Sequence, residues 1–372
     1  MFDLDETYKA NLDKVIEKHR GNWQHEQTPA TYLREFISEL QENNLLCRGW
    51  TQPFGEDDFN YQYYLHYTLA QQSTGSPGLC VASHVDIASM LLMKNQSNEV
   101  QEEYVNNALN GQTILALAMT EPTAGSDLQG IEFTAEERDG QWCLNGSKYG
   151  ITNLPFADAV IVLARTKKEK SPFSFSLFLV PTDSDGVEIH PALDSMGYEG
   201  CLGSMTANNV LLPKEYLLGK LGMGLTTLMK HLDKERLIVC ARMLGASEYI
   251  LSSLITECQS RQTFDDALIN HQHINFRVAE LNASVLAFRS ALELLIHSEH
   301  RGKIPTERAA ALKYSGAVLV NELSDTYMQL SGGRGYMYGH PAERLYREMP
   351  GLALAGGSKE IMLNIVADVV CA

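Results

Sequence analysis

No run of uncharged apolar residues reaches the roughly 18 needed to cross a bilayer, so the sequence predicts no spanning helix. Its opening, MFDLDETYKAN, has neither the basic start nor the apolar core of a secretory signal, and none is expected. Basic residues are few: 30 Lys+Arg stand against 46 Asp+Glu, a net charge of −16. That balance argues against nucleic acid and anionic membrane as partners. The seven cysteines (Cys47, Cys80, Cys143, Cys201, Cys240, Cys258, Cys371) are odd in number and contain no C-x-x-C pair. Reduced thiols in a cytoplasm are therefore expected, not a disulfide framework or a zinc site. His297 and His300 lack a third ligand, so no metal is predicted there. The lysines at 167, 168 and 170 read as solvated loop. Walker A and strand-placed G-x-G-x-x-G motifs are missing, as are internal repeats and low-complexity stretches.

What is present divides by period. At 372 residues and 44% apolar composition, the chain can bury the core of two or three cooperating domains. Residues 1–113 read as helical, with apolar residues at helical intervals in YLREFISELQENNLL. Residues 114–215 hold short β-prone runs (WCLNG, DAVIVLA, FSLFLVPT) separated by Asp-Gly, Asn-Gly and Pro turn signals. Over 216–372 the helical period returns. There Ile274, Val278, Leu281, Val285, Phe288, Leu292 and Leu295 form the seam of a long bundled helix. The predicted class is α+β, mostly α, with a largely antiparallel β insert in a helical body.

One helix carries an anomaly. Its apolar stripe runs Leu225, Leu228, Leu232, then Glu235, then Val239. A carboxylate on such a stripe loses hydration, which raises its pKa and strengthens it as a base once deprotonated. The alternative is that Glu235 turns to the rim and pairs with Lys234, Arg236 or another helix.

TEPTAGSD at 120–127 and NGSKYGITN at 145–153 resemble motifs of the acyl-CoA dehydrogenase family. MGYEG, LPKE, RQTF (261–264) with Gln272, QLSGGRGY (329–336) and GGSKEI (356–361) follow in the family's order. The resemblance covers residues 55–370 and implies a helical N-terminal domain, a middle β domain and a C-terminal four-helix bundle. It also implies FAD between the last two, held by Met119, Thr120, Ser126 and Thr152 around the flavin ring. Arg261, Phe264, Gln272, Gln329, Gly332, Gly333 and Ser358 are the further expected cofactor contacts, some to a neighbouring subunit's FAD, so a homodimer or homotetramer is expected. Ser126, Asp233, Arg236 and Gly356 are the expected substrate contacts.

The implied chemistry removes an α-proton and a β-hydride from an acyl thioester, so it needs a base and a donor to the thioester oxygen. In most family members the base opens an E-G-T-S-E-I motif, and here that position is Gly356. A minority, isovaleryl-CoA-dehydrogenase-like, carries the base on a bundle helix in L-D-x-E-R. This chain has Leu232-Asp233-Lys234-Glu235-Arg236 there, so the resemblance and the stripe coincide on Glu235 as the catalytic base. Two departures stand out: Gly150 replaces the family's Trp beside the flavin, and Asp265 a frequent Gly. The expected substrate is a short or branched acyl-CoA, and the expected electron acceptor electron-transfer flavoprotein or oxygen. Open alternatives are an acyl or aminoacyl group on a carrier protein, a flavin monooxygenase of the same fold, and a scaffold that has lost FAD.

Overall fold

The computed structural model describes residues 4–24, 29–46, 58–72, 76–169, 171–299 and 304–371. Cys47, Lys170 and His300 lie outside them. The chain forms two compact units. One comprises Ala10–Arg48 and Leu79–Leu232; the other comprises Met1–Lys9, Gly49–Gly78 and Asp233–Ala372.

The first unit is built on β1 (Leu115–Ala118), β2 (Thr134–Arg138), β3 (Gln141–Thr152), β4 (Ala159–Arg165), β5 (Phe175–Pro181), β6 (Val187–Ile189), β7 (Leu202–Leu212) and β8 (Leu217–Leu218). They hydrogen-bond in the order β6-β7-β3-β2-β4-β5-β8, with β1 parallel to β4. The sheet is thus mostly antiparallel, as the turn signals predicted. Strand β4, AVIVLAR, is buried on both faces, which suits its unbroken apolar run. Val160, Val162 and Ala164 join Trp142, Phe178 and Met205, while Ala159, Ile161 and Leu163 join Leu91, Val105 and Leu177 under the helices.

The helices ahead of the sheet in sequence are α1 (Glu6–Gln24), α2 (Pro29–Glu42), α3 (Asp58–Gln72), α4 (Ser76–Val81), α5 (Met90–Asn95) and α6 (Glu99–Leu109). Between α4 and α5 a π-helical stretch, Ala82–Ser89, buries His84 completely. The Leu115 amide donates to His84 Nδ1 and Nε2 faces the Ala108 carbonyl, both at 3.0 Å. Nδ1 is therefore the acceptor and Nε2 carries the proton. Burial pushes the His84 pKa down to about 4 from its ordinary 6.5, outweighing the opposing hydrogen bond to Ala108. The folded state thus takes this proton later than the unfolded chain. Stability is complete above pH 6.5 and declines as pH falls toward about 4, by up to about 3 kcal/mol. Thermal melting of the wild type should accordingly fall more steeply between pH 6.5 and 4.5 than that of His84→Gln. Parallel curves would remove this role.

In the second unit, α7 (Gly224–Ser260), α8 (Gln272–Glu299), α9 (Thr306–Gly335), α10 (Pro341–Leu354) and α11 (Lys359–Val370) carry the C-terminal half, with the first turns of α7 in the other unit. From Leu281 on, the α8 seam lies inward as its spacing predicted, with Leu281, Val285, Phe288, Leu292 and Leu295 buried, while Ile274 and Val278 at its start are only half-buried. Gly316 of α9 lets Phe288 of α8 and Met243 of α7 close in, since a Cβ there would meet them at 2.6 and 2.7 Å. Helix α7 is long and apolar enough to span a bilayer by composition alone, although charged residues interrupt it. Its most apolar window is 72% buried, as a core helix requires.

Candidate active site

The helical unit brings Glu235 and Gly356 together. Three residues along a helix bring side chains onto one face, so Arg236 reaches back to Asp233, Nη1 to Oδ1 at 2.7 Å. Thr306 Oγ1 donates to the other oxygen of Asp233 at 2.6 Å. Arg236, the partner considered for Glu235, is thus engaged elsewhere. Among the described residues the Glu235 carboxylate makes no hydrogen bond or ion pair, although it is half-buried. Burial pushes its pKa up to about 7, against the nearby positive charges of Arg236 and Lys313. A Cβ on Gly356 would stand 3.8 Å from Glu235 Oε1 and 3.5 Å from Val239 Cγ2. The α10–α11 loop therefore lays a bare α-carbon against the free carboxylate. Its turn needs φ of +69° at Gly356 and +104° at Gly357, a region glycine enters without strain.

Of the other expected substrate contacts, Asp233 is tied as described, with both carboxylate oxygens occupied. Arg236 is buried, and its Nε has no partner among the described residues. Ser358 caps α11, its hydroxyl accepting from the Ile361 amide at 3.4 Å. Glu360 is exposed, and its own backbone N–H and the Ser358 hydroxyl hold its carboxyl below the usual range. It stands in the first turn of α11, where a carboxylate suits the positive end of the helix dipole.

A second constellation in the same unit joins two of the sequence motifs. Gln262–Thr263 and Asp266–Ala267 pair as a hairpin whose two turn residues, Phe264 and Asp265, have φ of +52° and +65°. A two-residue turn with both φ positive favours Asn or Asp followed by Gly. That explains the family's Gly at 265, and Asp is among the few residues that tolerate the conformation. Phe264 at the tip is 95% exposed. Arg261 Nη1 donates to the Leu330 carbonyl at 2.8 Å, where α9 kinks at Gly332. Gln272, Gln329 and Gly333 are exposed beside these elements. Arg261, Gly332 and Gly333 therefore come together, from sequence positions about seventy residues apart, at a corner with an available guanidinium.

In the sheet unit, TEPTAGSD folds back on itself: the Glu121 and Ala124 backbones exchange hydrogen bonds at 2.8 and 3.2 Å. The Tyr149 amide donates to the Thr120 carbonyl at 3.0 Å, which joins this turn to β3. Met119, Thr120 and Thr152 are half-buried and Ser126 is exposed. Among the described residues the hydroxyls of Thr120, Ser126 and Thr152 make no hydrogen bond. Gly150 has φ of +68° and nothing within 4 Å of where a Cβ would stand. Open space therefore lies beside Gly150. The left-handed backbone was not expected, and it arises at an irregularity in the β3–β7 register between Lys148 and Ile151.

Sequence reasoning missed the buried lysines that support the Thr120 turn and the Gly356 loop. Lys148, fully buried, donates to the Met119 carbonyl and to Glu121 Oε1, both at 2.9 Å. Lys313, also fully buried, donates to the Ala353 carbonyl at 2.7 Å and to that of Gly357. The available signal was a lysine on an otherwise apolar helix face, AAALKYSGAVLV.

The free hydroxyls around an open Gly150 suit a flavin ring, and the Arg261–Gly332 corner suits a diphosphate. Residues 116–210 match the acyl-CoA dehydrogenase middle domain, and residues 222–371 its C-terminal domain. The 3-(aryl)acrylate reductase of Clostridium sporogenes is 27% identical over 91% of this chain and 90% of its own length. The long-chain specific acyl-CoA dehydrogenase of Sus scrofa mitochondria is 31% identical over 80% of this chain and 70% of its own. The crystal structure of acyl-CoA dehydrogenase from Geobacillus kaustophilus superposes with a TM-score of 0.90 at 27% identity, covering 100% of this chain and 99% of that one. With two domain matches that take in most of the sequence and a relative this similar, the chain belongs to the acyl-CoA dehydrogenase family, FAD-dependent oxidoreductases acting on CH–CH bonds.

Proposed function

We propose that this enzyme dehydrogenates a short or branched acyl-CoA between Cα and Cβ, with Glu235 as the base. The observation that carries the reading is the unpartnered Glu235 carboxylate against the bare α-carbon of Gly356, where most of the family is expected to place its own base. The Isovaleryl-CoA dehydrogenase of Solanum tuberosum, 28% identical over 82% of this chain, supports a branched acyl group.

In this reading the Glu235 carboxylate takes the α-proton. The Gly356 N–H donates to the thioester oxygen and stabilises the charge that develops there. FAD, when bound, supplies the acceptor for the β-hydride. Met119, Thr120, Ser126 and Thr152 would hold the flavin ring, and Arg261 and Gly332 would hold a phosphate-bearing portion of an FAD. Asp233 holds the guanidinium of Arg236, fixing the turn of α7 from which Glu235 projects.

Anaerobic titration with short, branched and aryl acyl-CoA thioesters tests the substrate class, because the correct one bleaches the flavin. Bleaching by acyl-carrier-protein thioesters alone would instead establish the carrier-protein alternative. The aryl arm matters because two relatives are named for reduction, the 3-(aryl)acrylate reductase and a Caffeyl-CoA reductase-Etf complex subunit of Acetobacterium woodii. The second name also supports electron-transfer flavoprotein as redox partner. Assembly into a homodimer or homotetramer is supported by the apolar stripe Phe276, Leu286 and Leu294 along the outer face of α8, each more than half exposed. A reducing cytoplasm accords with Cys80 and Cys201, whose sulfurs lie 3.5 Å apart as two thiols and not as a disulfide.

Gly150 gives oxygen an approach that a Trp would close. Reduced enzyme is expected to reoxidise in air faster than Gly150→Trp. The left-handed backbone costs that variant about 1–2 kcal/mol, so its FAD content is measured alongside. Equal or slower reoxidation of the natural protein removes the idea.

A further inference from the structure

Lys313 is a charged residue with no exposure, set in α9 among Ala309, Ala310, Leu312 and Ala317. Burying an ammonium is costly unless the group is paired or fully hydrogen-bonded. No carboxylate forms an ion pair with it among the described residues. Its partners are instead two backbone carbonyls, Ala353 in the last turn of α10 and Gly357 in the loop beyond. These two carbonyls bracket Gly356. One side chain, projecting from a third helix, therefore ties down both ends of the segment that carries the Gly356 N–H.

The same ammonium interacts electrostatically with Glu235, Arg236 and Cys240 of α7 and Glu360 of α11. Burial pushes Lys313 down to about 8 and Cys240 up to about 12, so at neutral pH the lysine is charged and the thiol is neutral. Arg236 is the stronger cation acting on Glu235, but its charge is shared with Asp233 through their ion pair. The charge of Lys313 is met by two carbonyl dipoles and, outside any ion pair among the described residues, by the carboxylates of Glu235 and Glu360, so it acts on Glu235.

We infer that Lys313 is a positioning residue for the reaction: it holds the loop that presents the Gly356 N–H, and its charge keeps Glu235 in the proton-accepting form. The inference rests on the reading of Glu235 as base. It adds a residue, 78 positions away in sequence, that sets the two groups meeting the substrate.

Two substitutions separate the two parts. Lys313→Met removes both the charge and the donors. Lys313→Gln removes the charge and keeps a donor for the loop. The FAD-loaded enzyme is followed in two ways from pH 5.5 to 9: by infrared difference spectra of the protonated carboxyl, assigned with Glu235→Gln, and by the rate of flavin bleaching with isovaleryl-CoA. In both Lys313 variants the Glu235 carboxyl should lose its proton about one pH unit higher than in the wild type, the ordinary effect of removing one neighbouring charge. The rate profile should move with it. At high pH Lys313→Gln should regain more of the wild-type rate than Lys313→Met, because it still anchors the loop.

A variant that melts earlier but keeps the wild-type carboxyl titration would overturn the inference and leave Lys313 a structural residue only. Where neither variant folds, the wild type decides. Loss of the Lys313 proton near pH 8 must broaden the Glu235 titration beyond a one-proton curve, and a simple one-proton curve overturns the coupling. Normal bleaching by Glu235→Gln refutes the base assignment instead, and does so without touching the infrared result.

Discussion

Replacing Glu235 by Gln lowers thioester-driven flavin reduction by about 10² to 10⁴-fold, the usual range for loss of a general base, while the protein keeps its FAD. The amide fills the same space and is no harder to desolvate than a carboxylate, so folding and thioester binding should change little. The wild-type rate should rise with pH through about 7, where the Glu235 carboxyl gives up its proton, and level off above it. Gly356→Glu in the Glu235→Gln background should restore part of the rate. A carboxylate grown from position 356 starts 3.8 Å from the oxygen it replaces. Recovery stays partial because φ at Gly356 is +69°, which an L-residue adopts at a cost of about 1–2 kcal/mol. Glu360→Gln is the control: that carboxylate is exposed and serves the start of α11. If Glu360→Gln abolishes flavin reduction while Glu235→Gln leaves it intact, the base assignment is wrong.

Lys148→Met should cost about 3–5 kcal/mol of stability, the loss typical of breaking a buried ion pair from one side. Glu121 is 6% exposed and accepts from the Glu132 and Phe133 amides at 2.7 and 3.0 Å as well as from Lys148. Without the ammonium its charge is left buried with two amides for company. Burial pushes Lys148 down to about 8, and the Glu121 charge opposes that fall. The pair is therefore mutually dependent at neutral pH. The same lysine holds the Met119 carbonyl at the end of β1, so FAD should be lost on gel filtration along with stability. Adding Glu121→Gln removes the stranded charge and should recover roughly half of the stability but little of the FAD, since the Met119 carbonyl stays unmoored. Denaturant unfolding and the flavin-to-protein absorbance ratio read the two effects separately. A loss below about 1 kcal/mol in Lys148→Met, the range of an exposed pair, would show that Lys148 does not carry this corner.

The β-prone runs and their turn residues were legible because a strand declares itself through neighbours one and two positions away. Helix α8 was legible for a similar reason: its seam from Leu281 to Leu295 repeats at intervals that only an inward helical face requires. Glu235 was visible as one polar residue on such a stripe, and the motif beginning at Gly356 pointed to the same place. The turn at Phe264 and Asp265 could have been read from its two-residue length, but the Asp at its second position hid the usual glycine signal.

Pattern alone left open what Glu235 would touch. Lys234, Arg236 and a facing helix were all within a long side chain's reach, and only the fold gave Arg236 to Asp233, whose second oxygen accepts from Thr306. Lys313 and Lys148 looked like lysines on any helix or strand. Their partners lie 40 and 44 residues away in one case, 29 and 27 in the other. The left-handed backbone at Gly150 depended on a register slip against a strand some fifty residues further on. The sequence by itself determined the periods, the turns and the one carboxylate out of place on the α7 stripe, because those rest on short-range sterics and on which residues water excludes. The tertiary structure decided which buried charge meets which carbonyl, because a desolvated group takes whatever partner the chain's return brings within about 3 Å, and no local pattern records that return.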